Sequence, residues 1–208
     1  MVTPADGAPR DTYHHGDLRA ALLRAAAEVL RERGLEGLSL REVARRAGVS
    51  HAAPYHHFAD LAALIAALVE NSLLELGERM RAAAATAPSD PEARVRALGA
   101  AYVRFAVDDP ASFRLMFRPE LRRAGGERLE AAGEASYRPL LEAIADGVAQ
   151  GAFAARDVRD LGLAAWAAVH GLATLLVDGP LRRTDDPEAV DAAVTAVVDG
   201  VVGGLLAR

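Results

Sequence analysis

The sequence predicts an all-α protein with about nine helices, and three observations support this. Hydrophobic residues make up 51% of the 208-residue chain, and alanine supplies much of that fraction. Alternating runs of Val, Ile and Tyr, which are typical of strands, are almost absent. Apolar residues recur instead at helical spacing between breaks rich in Gly, Pro and Asp. We therefore expect helices throughout and no sheet.

The first predicted helix follows a polar tail, residues 1–12, which we expect to be flexible. Asp17 is placed to cap this helix, and the apolar residues between Leu18 and Leu30 follow helical spacing. Gly34 is expected to end the helix, because glycine readily adopts the left-handed conformation that often follows a last turn.

Two shorter helices follow within a few residues. Ser39 and Glu42 form the S-x-x-E pattern of a capping box, which predicts a second helix that runs to Gly48. Ser50 is expected to cap a third helix. Pro54 falls in the first turn of that helix, where proline is tolerated better than in the middle, so we expect it to stiffen the helix start.

The remaining sequence predicts six further helices. A long one begins near Asp60 and continues to the break APSDP. The other five are expected over roughly 91–108, 111–118, 127–150, 157–178 and 187–207. The two short helices joined by a tight glycine turn indicate a helix-turn-helix. We therefore divide the chain into a helix-turn-helix domain over 13–60 and a larger helical domain over 61–208, joined by the long helix.

Composition argues against several classes of protein. The chain has no cysteine, so it offers neither a disulfide framework nor a thiolate metal site. Its net charge is −5 and all 24 basic residues are arginine, so any nucleic-acid binding must depend on a local patch. The apolar stretch 189–207 contains two Asp and three Gly, so we expect no membrane span. No secretory segment opens the sequence, and a cytoplasmic protein is expected.

Five of the six histidines lie between positions 14 and 57. A metal site needs ligands that converge, whereas adjacent His56 and His57 would diverge by about 100° on a helix. Ser50 is the only plausible nucleophile near them and is better used as a cap. Paired carboxylates, metal ligands and a phosphate-binding loop are not found, so we expect neither an enzyme nor a cofactor.

A helix-turn-helix suggests another role for this segment. The first helix of such a pair crosses the phosphate backbone, and the second enters the major groove with its N-terminal end first. The candidate DNA contacts are therefore Ser39, Arg41, Arg45, Ser50, His51, Ala52, Tyr55 and His56. The alternative is that some of the histidines are solvated or packing groups, for which His57 is the strongest case. If histidines contact phosphate, DNA affinity should rise as pH falls through about 6.5.

Here the sequence resembles a known family. The stretch LSLREVARRAGVSHAAPYHHFADLAALIAAL is similar to the DNA-binding segment of tetracycline-repressor (TetR) family transcription regulators, with its A-x-x-A-G-V-S turn and Y-x-x-F close. The preceding YHHGDLRAALLRAAAEVLRERGLEGLSL resembles that family's first helix. Two positions depart from the pattern. Leu61 stands where many members have a basic residue that can touch phosphate, and Pro54 stands where Leu or Ile is usual.

The C-terminal stretches DPASFRLMF and WAAVHGLATLLVDG resemble a subgroup of that family with a Trp-x-x-x-His-Gly motif, here Trp166, His170 and Gly171. The resemblance implies a homodimeric regulator whose helical C-terminal domain binds a small molecule. Binding would favour a state in which the two DNA-binding domains no longer match successive major grooves about 34 Å apart.

Trp166 and His170 fall on one helix face. They are either core residues or the wall of a ligand pocket in which His170 is the polar group, and the sequence leaves both open. The other candidate wall residues are Tyr102, Phe105, Met116, Phe117 and Tyr137. Few charges accompany them, so the implied ligand is largely apolar.

The last predicted helix, 187–207, is apolar or small on nearly every face and must be buried on several sides. Together with 157–178 it could pack against the same pair in a second copy, as an isologous four-helix interface. The alternative is the core of a monomer.

The sequence therefore predicts a repressor that binds a pseudo-palindromic operator in double-stranded DNA as a homodimer and is released by a small, largely apolar effector. The alternative is a helical small-molecule or protein-binding module in which the helix-turn-helix is only structural.

Overall fold

The computed structural model describes residues 15–124, 126–181 and 186–206. Within these ranges it contains nine α-helices and no sheet, which confirms the all-α prediction. The helices are α1 His15–Arg33, α2 Leu40–Arg46, α3 Leu61–Thr86, α4 Pro91–Asp108, α5 Pro110–Met116, α6 Pro119–Ala124, α7 Gly126–Ala149, α8 Val158–Val177 and α9 Pro187–Leu205. The predicted tail, 1–12, lies outside the described residues.

The chain forms two compact units, one up to Leu64 and the other from Ile65 onward. In the first unit α1 packs against α2, and α2 packs against a short 3₁₀ helix, Ala53–His56. The spacing of apolar residues in the sequence predicts a small core, and five of the residues expected there are buried: Leu22, Val29, Leu38, Leu40 and Val43. Ala47 and Val49, also expected in the same core, are only half-buried. Ala44 is fully buried as well, and its small side chain allows a close approach at the centre of the unit.

Helix α1 begins earlier than predicted. Its described part starts at His15, so Asp17 has helical backbone and is not the cap. Asp is preferred at a cap, where its side chain accepts a hydrogen bond from a backbone N–H. It is also preferred just inside the helix, where the positive end of the helix dipole attracts a carboxylate, so the sequence does not distinguish the two positions. The predicted end is correct: Gly34 follows the last residue with φ of 67°, and its N–H donates to the carbonyl of Leu30 at 2.9 Å.

Helix α2 has half of the predicted capping box. The Ser39 hydroxyl accepts a hydrogen bond from the Glu42 N–H at 3.1 Å, and Ser39 has the extended backbone of a cap. The Glu42 carboxylate accepts instead from Arg45, at 2.6 and 2.9 Å, and lies 3.3 Å from Arg33. Ser39 therefore gives one backbone N–H at the start of α2 its hydrogen-bond partner, and the Glu42 carboxylate links α2 to Arg33 at the end of α1.

The third predicted helix is shorter and tighter than expected. It is the 3₁₀ helix Ala53–His56, preceded by turns, and Ser50 is not its side-chain cap. Pro54 explains the difference, because an α-helix capped by Ser50 would need a hydrogen bond from residue 54, and proline has no N–H. The Ser50 carbonyl accepts instead from Ala53 N–H at 3.0 Å, a three-residue spacing. Pro54 is buried and alters the helix rather than only stiffening it.

An ion-pair cluster joins α1 to α2. The Arg46 guanidinium donates to both carboxylate oxygens of Glu32 and to Glu28 at 3.3 Å. The hydrogen bond from Arg46 lowers the pKa of Glu32, and the same bond raises the pKa of Arg46. These groups are at the surface, so we take them to orient the helices more than to stabilise them.

The second unit is a helical bundle built around α4. Helix α4 packs against α7, α8 and α9, and α8 also packs against α7 and α9. The predicted segments of the bundle are all present, and the short helix α6 was not predicted. The count of nine α-helices is therefore reached with α6 in place of the third predicted helix.

Helix α8 is the only described helix that is long and apolar enough to cross a membrane, judged by length and composition alone. In its most apolar 18-residue stretch, 44% of the helix is buried inside the protein. Its buried side is formed by residues at helical spacing, including Leu161, Ala165, Val169, Leu172 and Leu176. The core of a bundle accounts for that pattern without a bilayer.

Candidate functional site

The first unit displays all eight residues predicted to contact DNA. Ser39, Arg41, Arg45, Ser50, His51, Ala52, Tyr55 and His56 are each exposed. Val43 and Pro54, which lie between them in sequence, and Phe58, which follows them, are buried. The alternation arises because α2 and the 3₁₀ helix each turn one side toward the core. We call these eight residues the exposed turn surface.

The histidines of this segment differ in their surroundings. His51 and His56 are exposed, whereas His57 is half-buried with its ring 6.5 Å from that of Phe58. This placement agrees with a packing role for His57. Among the side chains that the structure describes, no three His, Asp or Glu residues are grouped so that they could hold a metal ion.

The two arginines of α2 that belong to the exposed turn surface, Arg41 and Arg45, are not equivalent. Arg45 is paired with Glu42, and this bond lowers the pKa of the Glu42 carboxyl. Arg41 forms no ion pair with any described side chain. The guanidinium of Arg41 is therefore the one on α2 that a phosphate could bind without competing with a carboxylate.

The second unit contains a cavity of about 1200 Å³. Its walls come from α3, α4, α7, α8 and α9 and from the residues around the end of α5, and most of them are aliphatic or aromatic: Val69, Leu73, Leu76, Met80, Val95, Leu98, Tyr102, Met116, Phe117, Leu129, Tyr137, Leu140, Leu141, Leu163, Trp166, Val169, Val198 and Val201. Pockets for drug-sized ligands have volumes of about 300 to 1000 Å³, so this cavity has room for a larger apolar molecule.

Five of the seven predicted pocket residues line the cavity, namely Tyr102, Met116, Phe117, Tyr137 and Trp166. Phe105 and His170 do not. Phe105 is fully buried on another side of α4, where the Arg79 guanidinium lies 5.3 Å from its ring centroid. Phe105 falls three residues after Tyr102, and this spacing suggests the same face of the helix. The two side chains nevertheless point about 60° apart around the helix axis, and only Tyr102 reaches the cavity.

His170 does not line the cavity itself but contacts three residues that do, Tyr102, Phe117 and Trp166. The Tyr102 hydroxyl lies 2.8 Å from His170 Nδ1, and Trp166 Nε1–H donates to the same hydroxyl at 3.4 Å. The His170 ring stacks on Trp166 with centroids 5.3 Å apart and contacts Phe117 at 4.5 Å. Burial raises the pKa of Tyr102 and lowers that of His170. His170 therefore supports two wall residues as a neutral, hydrogen-bonded group.

Charged residues that the sequence did not single out complete the cavity. Glu130, Glu134 and Arg138 of α7 and Arg159 of α8 line it and are exposed. We call these four residues the charged rim. Their spacing on α7 is a recognisable signal, since residues four apart lie on one side of a helix. The sequence alone could not show that this side borders a cavity.

Two family models match the chain. One, described as bacterial regulatory proteins of the tetR family, matches residues 22–68. The other, described as tetracyclin repressor-like, C-terminal domain, matches residues 95–201. The first covers most of the unit that displays the exposed turn surface, and the second covers most of the bundle.

Similar proteins agree with these matches. The HTH-type transcriptional activator FasR of Mycolicibacterium smegmatis is 30% identical over 202 residues, which cover 95% of this chain and 84% of FasR. A Rhodococcus protein of unknown function is 37% identical with a TM-score of 0.81, over 95% of this chain and 100% of that one. FadR of Bacillus subtilis, solved in complex with stearoyl-CoA, has the same fold at 16% identity, with a TM-score of 0.71 over 89% and 98% of the two chains. The chain belongs to the TetR family of bacterial transcription regulators.

Proposed function

We propose that this protein binds operator DNA through the exposed turn surface and that a ligand in the bundle cavity controls this binding. The observation that carries the proposal is the pairing of two features in separate units. The first unit presents eight exposed residues on a helix-turn-helix frame, and the second contains a cavity of about 1200 Å³ with largely apolar walls. A ligand that binds one of two conformations of the protein more tightly shifts the population toward it, and DNA binding changes if the other conformation is the one that fits the operator.

The effector we propose is a molecule with a long aliphatic chain. The volume and the aliphatic and aromatic walls of the cavity support this choice. The stearoyl-CoA held by the FadR relative supports it as well. The predicted Trp-x-x-x-His-Gly motif fits the site in part, since Trp166 is a wall residue and His170 supports it.

We further propose a homodimer formed through α8 and α9. Leu175 of α8 is exposed, and the helical glycines Gly171, Gly200 and Gly203 have open space where a side chain would be. Glycine inside a helix costs roughly 0.5 to 1 kcal/mol relative to alanine, so its use here favours close packing against another helix. Sedimentation at micromolar concentration tests this, and a monomer would contradict it.

The sign of regulation that we propose is repression, with DNA released when the effector binds. The relative FasR is named an activator, so a reporter assay is needed for this chain itself. Reporter expression should rise when the gene for this protein is deleted. We also propose a cytoplasmic, non-enzymatic protein, as TetR-family regulators are.

A gel shift with the DNA upstream of the protein's own gene tests the proposed function. We expect a sequence-specific shift that is weakened by salt and reversed by a long-chain acyl ligand. The absence of any specific shift, even at low salt, would favour a binding module whose helix-turn-helix is only structural.

A further inference from the structure

The described arginines of the second unit fall into two groups. Seven of them form ion pairs with carboxylates: Arg79, Arg81, Arg94, Arg96, Arg104, Arg114 and Arg128. Four others, Arg118, Arg138, Arg156 and Arg159, form none with any described side chain. Two of these four, Arg138 and Arg159, belong to the charged rim of the cavity. The cavity therefore has two guanidinium groups at its rim that pair with no described carboxylate.

The packing of α7 on α8 places these two arginines on neighbouring turns of the two helices. A Cβ built at Gly162 would lie 2.6 Å from Cδ2 of Leu141 and 2.7 Å from the hydroxyl oxygen of Tyr137, so glycine allows the two helices to touch there. Arg138 directly follows Tyr137, and Arg159 precedes Gly162 by one helical turn. Both arginines therefore belong to the turns that meet at this contact.

Two polar groups of the cavity wall are engaged by the protein itself, and a third, the hydroxyl of Tyr137, is uncharged. The Ser136 hydroxyl donates to the Gly133 carbonyl at 2.7 Å, and the Tyr102 hydroxyl is hydrogen-bonded to His170. An anionic group would lose its hydration inside these apolar walls without gaining a charged partner. At the rim it would meet two guanidinium groups that can form charge-assisted hydrogen bonds.

Glu134 is the one carboxylate of the rim placed four residues before Arg138, the spacing at which a helical pair can form. Both side chains are described by the structure, and no ion pair of 4.0 Å or less joins them. The Arg138 guanidinium therefore does not have to break a bond with the protein before it binds an anion.

We propose that Arg138 and Arg159 bind the anionic head of the effector, and that the cavity holds its aliphatic chain. The effector class is then a long-chain acyl compound with a negative head, either the carboxylate of a free fatty acid or the phosphates of an acyl-coenzyme A. This inference rests on the proposed function, because it assumes that the cavity is the effector site.

The single tryptophan of the chain, Trp166, lines the cavity and reports binding by its fluorescence. We would titrate the full-length protein with dodecanoate, dodecanoyl-CoA and the uncharged dodecanol. The same titrations would be made with the double variant Arg138→Gln/Arg159→Gln. The control is Arg156→Gln, because Arg156 is also exposed and unpaired among the described residues but does not line the cavity. Circular dichroism would check that each variant is folded.

We expect the double variant to bind the anionic ligand about tenfold more weakly and dodecanol unchanged, while the control matches the wild type. Loss of dodecanoate binding assigns the carboxylate as the head, and loss confined to dodecanoyl-CoA assigns the phosphates. An affinity of the double variant within about twofold of wild type for both anions would overturn this inference and leave the proposed function standing. If the wild type bound none of the three compounds, both would fail.

Discussion

The Tyr102 hydroxyl of α4 lies 2.8 Å from Nδ1 of His170 on α8. The same hydroxyl accepts a hydrogen bond from Trp166 Nε1–H, so its own proton is available to His170. This contact joins two wall residues of the cavity to a residue behind the wall, and it leads to two predictions.

Replacement of Tyr102 by Phe should lower the free energy of unfolding by about 1 to 2 kcal/mol, because it leaves two ring nitrogens without their shared partner. Urea denaturation measures the change. Tyr137→Phe is the matched control, since Tyr137 also lines the cavity but its hydroxyl has no hydrogen bond with a described residue. Equal losses in the two variants would show that the Tyr102 bond contributes nothing.

The stability of the protein should depend on His170 below neutral pH. Burial lowers the pKa of His170 in the folded state, and its described ring neighbours, Tyr102, Phe113, Phe117 and Trp166, are uncharged at neutral pH. The unfolded chain therefore binds the proton more tightly. The contribution of neutral His170 to the free energy of unfolding is fully present above about pH 6.5, and it is lost as the pH falls toward the pKa of His170 in the folded state. In His170→Gln, unfolding free energy should fall less steeply between pH 7 and 5, and identical slopes would contradict this.

Two glycines of α7 should respond to alanine in opposite directions. A Cβ at Gly147 would overlap the ring of the fully buried Phe153, so Gly147→Ala should lose about 1 to 3 kcal/mol of stability. Gly133 has open space, so Gly133→Ala should gain up to about 1 kcal/mol from the better helix propensity of alanine. Thermal unfolding distinguishes them. A loss at both positions would mean that the space beside Gly133 is filled in solution.

The two serines of the helix-turn-helix should also differ. Ser39→Ala removes the cap of α2 and should cost about 1 kcal/mol of stability. Ser50→Ala should cost almost nothing, because the exposed Ser50 side chain caps no described helix. A substantial loss from Ser50→Ala would indicate a capped α-helix in solution in place of the 3₁₀ helix.

Tyr55 provides the test of the exposed turn surface. Tyr55 is 55% exposed, so Tyr55→Ala should leave the fold intact while DNA affinity falls about tenfold. Tyr55→Phe is the control and separates the hydroxyl from the ring. Unchanged affinity of Tyr55→Ala for the upstream DNA would show that the proposed docking is wrong.

Much of the helical architecture could be predicted because its signals are local. Helical spacing, proline and aspartate breaks and the Ser39 cap were enough to place α4 and α7 to α9 within a few residues. The errors at Asp17 and Ser50 have a common cause, since several positions near a helix start accept the same residue types. Which residue is the cap depends on the backbone, and at Ser50 the missing N–H of Pro54 decided it.

By itself the sequence determined that the chain is helical, that it has a helix-turn-helix of TetR type and that aromatic residues gather in the C-terminal half. Periodicity and motifs are properties of neighbours along the chain, and these conclusions need nothing more. Only the tertiary structure decided that Trp166 faces the cavity while His170 and Phe105 do not, and that Arg138 and Arg159 border it. Those facts depend on how α4, α7 and α8 are rotated against one another, which is set by contacts between residues far apart in sequence.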